Sequence, residues 1–223
     1  MIRIFGQRRI WKVSDSSRND RGMLVILSGF SGAGKGTVVN GLLQRYDNYA
    51  LSVSATTRNP RPGEKEGVSY FFKTEDEFRQ MIDRGELLEY ARYVDHCYGT
   101  PAAYVDKKLS EGKDVILEIE IQGARKVCAQ RKDAVTVFVT PPSAEELRRR
   151  LTGRGTETQE VIDARMRRAA EEALSMQDYD YILVNDDLDT CVEQLHQLIQ
   201  AQHMASSHQK AFIDKIRSEF VKQ

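Results

Sequence analysis

Residues 29–37, GFSGAGKGT, follow a short apolar run, MLVILS (23–28), and lead straight into GTVVNGLLQRY. Nothing else in the chain restricts its fold as much. Glycines at 29, 32, 34 and 36 leave the backbone bare, so that its N–H groups can converge on phosphate oxygens. The helix that follows turns its positive dipole end toward the same anion. Lys35 adds a full charge. A GxxxxGK string arises by composition often enough to mean little alone, and its bland reading is an ordinary flexible strand-to-helix turn. Placed between an apolar strand and a helix with Val38, Leu42 and Leu43 on its inward face, it reads as a phosphate-binding loop. Gly29, Phe30, Ser31, Gly32, Ala33, Gly34, Lys35, Gly36 and Thr37 are the expected triphosphate contacts. Gly36 follows the lysine where a hydroxyl residue is usual, and Thr37 comes one position later. No residue is therefore assigned as a direct magnesium ligand, and Thr37 and Glu118 are candidates through water.

The later runs DVILEIEI (114–121), AVTVFVT (134–140) and DYILVND (180–186) have the near-continuous apolarity of strands covered on both faces. Helical patterns separate them. One opens with Thr100 as N-cap and Pro101 at its first position, and another with a capping box of Ser143 and Glu146. Alternating strands and helices predict a mainly parallel, three-layer α/β sheet. Residues 53–100 break the alternation: SVSATTRNPRPGEKEG is polar, basic and turn-rich, YFF and LLEYARY suggest short strands, and EDEFRQMIDRG a short helix. This predicts an inserted α+β subdomain. TGRGTETQE, within 152–164, reads as a lid, followed by a helix from Val161 to Gln177 buried along Ile162, Met166, Ala169, Ala170 and Ala173.

Chemistry-bearing residues cluster in these segments. Arg58 and Arg61 lie in a turn rich in proline and glycine, where their forks suit phosphate oxygens, with Ser54 and Tyr70 as neutral partners. A surface basic loop is the other reading. Glu89, with Tyr98 and Thr100 nearby in sequence, offers a carboxylate flanked by hydroxyls, which matches the paired N1–H and N2–H₂ donors of guanine; alternatively it is a solvated strand residue. Glu118 and Glu120 are two apart on one expected strand end, at the sheet edge where ligands bind in α/β folds. They suit water-mediated magnesium ligation or nucleotide binding, or else they trim nearby arginine charge. Arg150, Arg154 and Arg165 flank or occupy the lid, whereas Arg148, Arg149, Arg167 and Arg168 read as solvated charges.

The 33 Lys and Arg balance 33 Asp and Glu over 223 residues, so no global field favours nucleic acid or an anionic membrane. The chain has no apolar run of the roughly 18–20 residues that span a bilayer, and the expected location is cytoplasmic. Cys97, Cys128 and Cys191 have no metal-site spacing and read as reduced thiols. Residues 1–21, with six Lys or Arg against two Asp, are expected to be a frayed arm. In the extension at 206–223, Phe212, Ile216 and Phe220 fall at helical spacing and are expected to pack on their own domain.

Taken in order, SGFSGAGKGT, SVSATTRNPRPGE, GELLEYARYVDHCYGTP, LEIEIQG, TPPSAEELRRRLTGRGTE and YILVNDDLD resemble guanylate kinase across residues 22–205, some four fifths of the chain. The resemblance implies a P-loop nucleoside-monophosphate-kinase fold with core segments 22–52 and 101–205, a GMP-binding insert and a lid. It implies ATP and GMP as substrates and Mg²⁺ with the ATP. Ser54, Arg58, Arg61, Tyr70, Glu89, Tyr98, Thr100, Glu118 and Glu120 become GMP contacts. Lys35, Arg58, Arg150, Arg154 and Arg165 become the charge-stabilising catalytic set, and Asn185 a contact near the adenine. Phe30 stands where the family commonly has proline, and Glu120 where it commonly has aspartate. Two rivals remain at this level: an inert phosphoprotein-binding module of the same shape, and a small-sugar-phosphate kinase. The expected assembly is a monomer or small homo-oligomer.

Overall fold

The computed structural model describes residues 21–221 apart from Val94, Arg154, Thr156 and Glu157. The expectations for the arm at 1–20 and for Arg154 in the lid fall outside the described residues. The element order is β1 (Leu24–Gly29), α1 (Lys35–Arg45), β2 (Tyr49–Leu51), β3 (Ala55–Thr56), β4 (Phe71–Phe72), α2 (Glu75–Asp83), β5 (Leu87–Tyr93), β6 (His96–Pro101), α3 (Ala102–Ser110), β7 (Asp114–Glu118), α4 (Ile121–Gln130), β8 (Val135–Thr140), α5 (Ala144–Thr152), α6 (Gln159–Ala173), β9 (Tyr181–Val184), α7 (Leu188–His203) and α8 (Lys210–Val221).

Five strands form a sheet in the order β2-β7-β1-β8-β9, and every pairing in it is parallel. The apolar runs have this form because successive side chains feed opposite layers. Val25 and Leu27 of β1 pack with Val38, Val39 and Leu42 of α1 and with Val192, Leu195 and Ile199 of α7. Leu24 and Ile26 pack on the other face with Val105 and Leu109 of α3 and Ala124 and Val127 of α4. The expected three-layer α/β architecture is therefore the observed one. A second sheet, β4-β3-β6-β5, has its own small core of Ala55, Phe78 and Leu87. Its helix α2 starts at a complete capping box of Thr74 and Glu77, a signal the sequence carries and the reading above passed over.

Several local expectations are corrected. Thr100 is the penultimate residue of β6, and Pro101 is the N-cap of α3. Its hydroxyl is taken by Glu89, so it has none to give a helix end. The strand carrying Glu118 stops there, and Glu120 is the N-cap of α4, so the two acids do not share a strand face. Ile119 lies between them, its N–H donating to the Leu27 carbonyl at 3.2 Å and its carbonyl accepting from Ser28 Oγ at 2.8 Å, so β1 holds the residue at which the strand gives way to the helix cap. Ser143 accepts from the Glu146 N–H, but the Glu146 carboxylate turns to Arg149 and Arg150, so that box is half made. In α6 the buried stripe is Ile162 and Ala169, with Met166 partly covered; Ala170 and Ala173 face outward. In α1 Val39 is buried and Leu43 only partly so. β9 is an edge strand that leaves Ile182 and Val184 almost half exposed. No residue of α8 is buried, so the Phe212, Ile216 and Phe220 stripe does not sink into the domain.

One buried node joins the start of the first strand to the end of the last core helix. Buried Asp114 accepts from the Met23 N–H at 2.8 Å, bonds His203 Nε2 at 2.9 Å and accepts from Asn48 Nδ2 at 3.3 Å. This ties the start of β1 to the end of α7 at the amino edge of the sheet. The carboxyl edge, where β1, β7, β8 and β9 all end, is left for the site.

Candidate active site

The loop between β1 and α1 is built to leave amides unpaired. Gly34, the N-cap of α1, has φ 91° and no side chain to cap the helix, and no acidic residue occupies the first turn. Those free N–H groups and the dipole behind them make an anion cradle. A Cβ at Gly34 would come within 2.5 Å of Asn185 Nδ2, so the position takes glycine for space as well as for backbone sign. Lys35 Nζ donates to the carbonyls of Gly29 at 2.8 Å and Phe30 at 3.2 Å, across the mouth of the loop. Burial pulls its pKa down, while Glu118, Glu120 and Glu172 push it back up.

Two of the residues expected at ATP also hold the loop in place from within the protein. Phe30 packs edge to face on Phe138 with ring centres 5.0 Å apart, so its side chain belongs to the core. Asn185 is buried, and its Nδ2 donates to the Ala33 carbonyl at 2.8 Å, which supports the loop from below. Arg150 completes this underpinning, with one guanidinium N–H to the Asn185 carbonyl at 2.8 Å and its Nε to Glu146 at 2.7 Å. The two guanidiniums hold the Glu146 carboxyl far below its usual range, at about 2. Arg165 reaches the loop itself, 3.3 Å from Ser31 Oγ.

Beside the loop opens a cleft of about 620 Å³ whose lining includes Ser54, Tyr70, Glu89, Tyr98, Glu118 and Glu120. A recess of about 150 Å³ adjoins Ser54, Tyr70, Thr100 and Glu118. The second sheet thus presents its acid and hydroxyls to the carboxyl edge of the first. Glu89 gets there through a register irregularity between Leu87 and Tyr90, the kind of local defect that re-aims a strand residue. Thr100 Oγ1 donates to Glu89 Oε1 at 2.7 Å, and the other oxygen lies against Gly123, where a Cβ would sit 3.1 Å from it. Burial raises the Glu89 carboxyl above its usual range, with the Thr100 bond and the Lys126 charge drawing it partly back. Glu118 is likewise raised by burial and lowered by Lys35. It stands next to Gly36, whose missing Cβ would lie 3.5 Å from Oε2.

The guanidinium of Arg58 lies 5.3 Å from the Tyr70 ring centre, and Tyr70 and Tyr98 pack ring against ring. Glu64 locks the turn: it pairs with Arg58 at 2.7 Å and accepts from the Arg61 N–H at 2.7 Å. The Arg58 side chain is only 13% exposed, which sets it apart from a solvated basic loop. Arg61 is exposed and does not line the cleft. One neighbour of the site, Glu64, escaped the sequence reading, and another, Arg168, was read only as a solvated charge. Glu64 sits three residues after Arg61, a spacing a turn can close. Arg168 lines the cleft, paired with Glu120 and with Glu172, and its i, i+3 relation to Arg165 and i, i+4 relation to Glu172 were available signals.

The donor set suits a nucleotide-borne magnesium ion better than a resident metal. No cluster of three or more His, Cys, Asp or Glu with metal-site geometry occurs among the described residues. Magnesium keeps most of its waters and asks for few protein oxygens. Glu118 beside Gly36, with exposed Thr37 next along, meets that modest demand. Among the described residues no helix is long and apolar enough to cross a membrane.

Comparison with known proteins agrees with this geometry. The family model for guanylate kinase matches residues 21–202. A guanylate kinase of Lactococcus lactis is 51% identical over 184 residues, which is 82% of this chain and 90% of that protein. One from Caldanaerobacter subterraneus is 47% identical over 201 residues, covering 90% and 98%. The crystal structure of guanylate kinase from Anaplasma phagocytophilum aligns with a TM-score of 0.71 at 33% identity, over 92% of this chain and 98% of that one. An amide-lined loop facing a carboxylate-bearing cleft, on a chain that matches these relatives over most of its length, places this protein in the guanylate kinase family.

Proposed function

We propose that the protein transfers the γ-phosphoryl group of ATP to GMP, giving ADP and GDP, in the cytoplasm. The observation that carries this reading is the pairing of Glu89 with Thr100 at the floor of a cleft that opens beside the phosphate-binding loop. A carboxylate held this way accepts both guanine donors, and adenine offers no such pair. A sugar-phosphate kinase would have no use for that acid, and an inert binding module no use for Lys35 facing into the loop.

The chemistry asked of the protein is positioning and charge stabilisation. The acceptor phosphate is already an anion, so no protein nucleophile is required. Lys35 swings from the Gly29 and Phe30 carbonyls to the triphosphate, and the amides of α1's first turn take its oxygens. Arg165, already at Ser31, lies where it meets charge on the transferring group. Arg150 acts with Asn185 to hold the loop's shape. Arg58 and Tyr70 grip the acceptor phosphate, with Arg61 entering from the turn that Glu64 closes. Glu118 and Thr37 would hold the waters of a Mg²⁺ ion brought in with ATP, which would supply neutralisation of phosphate charge when bound. We assign the second sheet, residues 53–100, as the acceptor-binding insert and 152–164 as the lid. Closing them on the substrates would exclude the water that otherwise wastes ATP.

An ADP-release assay against GMP, dGMP, AMP, UMP and a small sugar phosphate tests the reading. GMP should drive turnover far above the rest, with dGMP next. Equal turnover with AMP, or none with any monophosphate, overturns it.

A further inference from the structure

We propose that Arg168 is a positioning residue of the acceptor cleft: it compensates Glu120 and Glu172, so that a dianionic monophosphate can enter a pocket otherwise lined with carboxylates. This rests on reading the cleft as the GMP site. The cleft holds Glu89, Glu118 and Glu120 in its lining, and two guanidiniums line it with them, Arg92 on β5 and Arg168 on α6. Its fork is shared, with one nitrogen on Glu120 and Nε on Glu172 at 2.8 Å. Glu172 lies four residues on in α6, so it works as a strut that fixes the guanidinium while the other end faces the cleft rim.

Position on α6 gives the arrangement its meaning. Arg165 touches the donor loop at Ser31, and one turn later Arg168 touches the acceptor rim at Glu120. One rigid helix therefore carries a cation to each side of the reaction. The Arg168 side chain is 55% exposed and Glu120 73% exposed, and pairs that open contribute little to fold stability. What remains is the field they set inside the cleft. Without Arg168, the Glu120 carboxylate is left uncompensated in the cleft lining, and a dianionic phosphate that enters meets like charge there.

The test is steady-state kinetics of the full chain as wild type, Arg168→Gln, Arg168→Lys, Glu120→Gln and the double variant Arg168→Gln with Glu120→Gln, each checked for an unchanged melting temperature. For Arg168→Gln the KM for GMP should rise about tenfold, while kcat and the KM for ATP change by no more than about twofold. Arg168→Lys should recover most of the loss, and adding Glu120→Gln to Arg168→Gln should lower the KM for GMP again. An unchanged KM for GMP in Arg168→Gln, or strict additivity in the cycle, overturns the proposal. If wild type itself shows no GMP-dependent turnover, the reading of the cleft has failed instead.

Discussion

Single residues carry most of the chemical argument. Lys35 is held by two carbonyls of the loop itself, so Lys35→Ala should lower turnover by several orders of magnitude with circular dichroism and melting temperature unchanged. Near-normal turnover would remove it from the reaction. Glu89 gives a prediction with a sign. Burial raises its folded pKa above that of a free glutamate, about 4.3, and guanine needs the ionised form. The KM for GMP should therefore climb as pH falls, starting above the range where an exposed glutamate titrates. For folding the sign is opposite: an acid whose folded pKa is raised gives its full stabilising contribution below the unfolded value and loses it as pH rises through the folded one. Glu89→Gln should thus melt no lower than wild type at pH 7, lose its preference for GMP over AMP, and show a flattened acid limb. A variant that kept both the preference and the limb would take Glu89 out of base recognition.

At the scale of elements, the fold and the site were legible in the sequence to different depths. The strand, loop and α1 unit could be read because three independent signals coincide there: an apolar run, a glycine spacing and a helical stripe. β9 misled because YILV looks as continuous as β8, yet an edge strand has a helix layer on one face only, and neighbour number is not written in the strand itself. Glu118 and Glu120 misled because alternation holds only while the chain stays extended, and the pinning of Ile119 by β1 is a contact between residues far apart in sequence. Asn185 was found by likeness, and its bond to Ala33, which spans 152 positions, could not be read from the sequence. The extension past α7 yields a prediction of the same scale. α8 has no fully buried residue, so a chain ending after Ala205 should keep its activity and melt within about 2 °C of the full one. His203→Ala, by contrast, strips a donor from buried Asp114 and should cost about 1–3 kcal/mol in urea unfolding. If truncation proved the more damaging of the two, α8 would have a packing role that its exposure contradicts.

Across the whole molecule, two sheets with separate cores meet so that Glu89, Glu118, Glu120 and Arg168 line one cleft beside the phosphate-binding loop. The parallel sheet supplies the donor loop and the rim acids from its carboxyl edge, and the smaller sheet supplies Glu89, Thr100, Tyr70 and Arg58. The net charge of the chain is zero, so the cleft's affinity for two polyanions has to come from local cations and amides and not from the molecule's overall field. That arrangement makes sense only if donor and acceptor phosphates are held together and react directly with each other. Following the label from γ-labelled ATP in the presence of GMP tests this most directly: one labelled GDP should appear for each ADP formed, with negligible labelled inorganic phosphate. Label released mainly as inorganic phosphate, or released at the same rate without GMP, would contradict it.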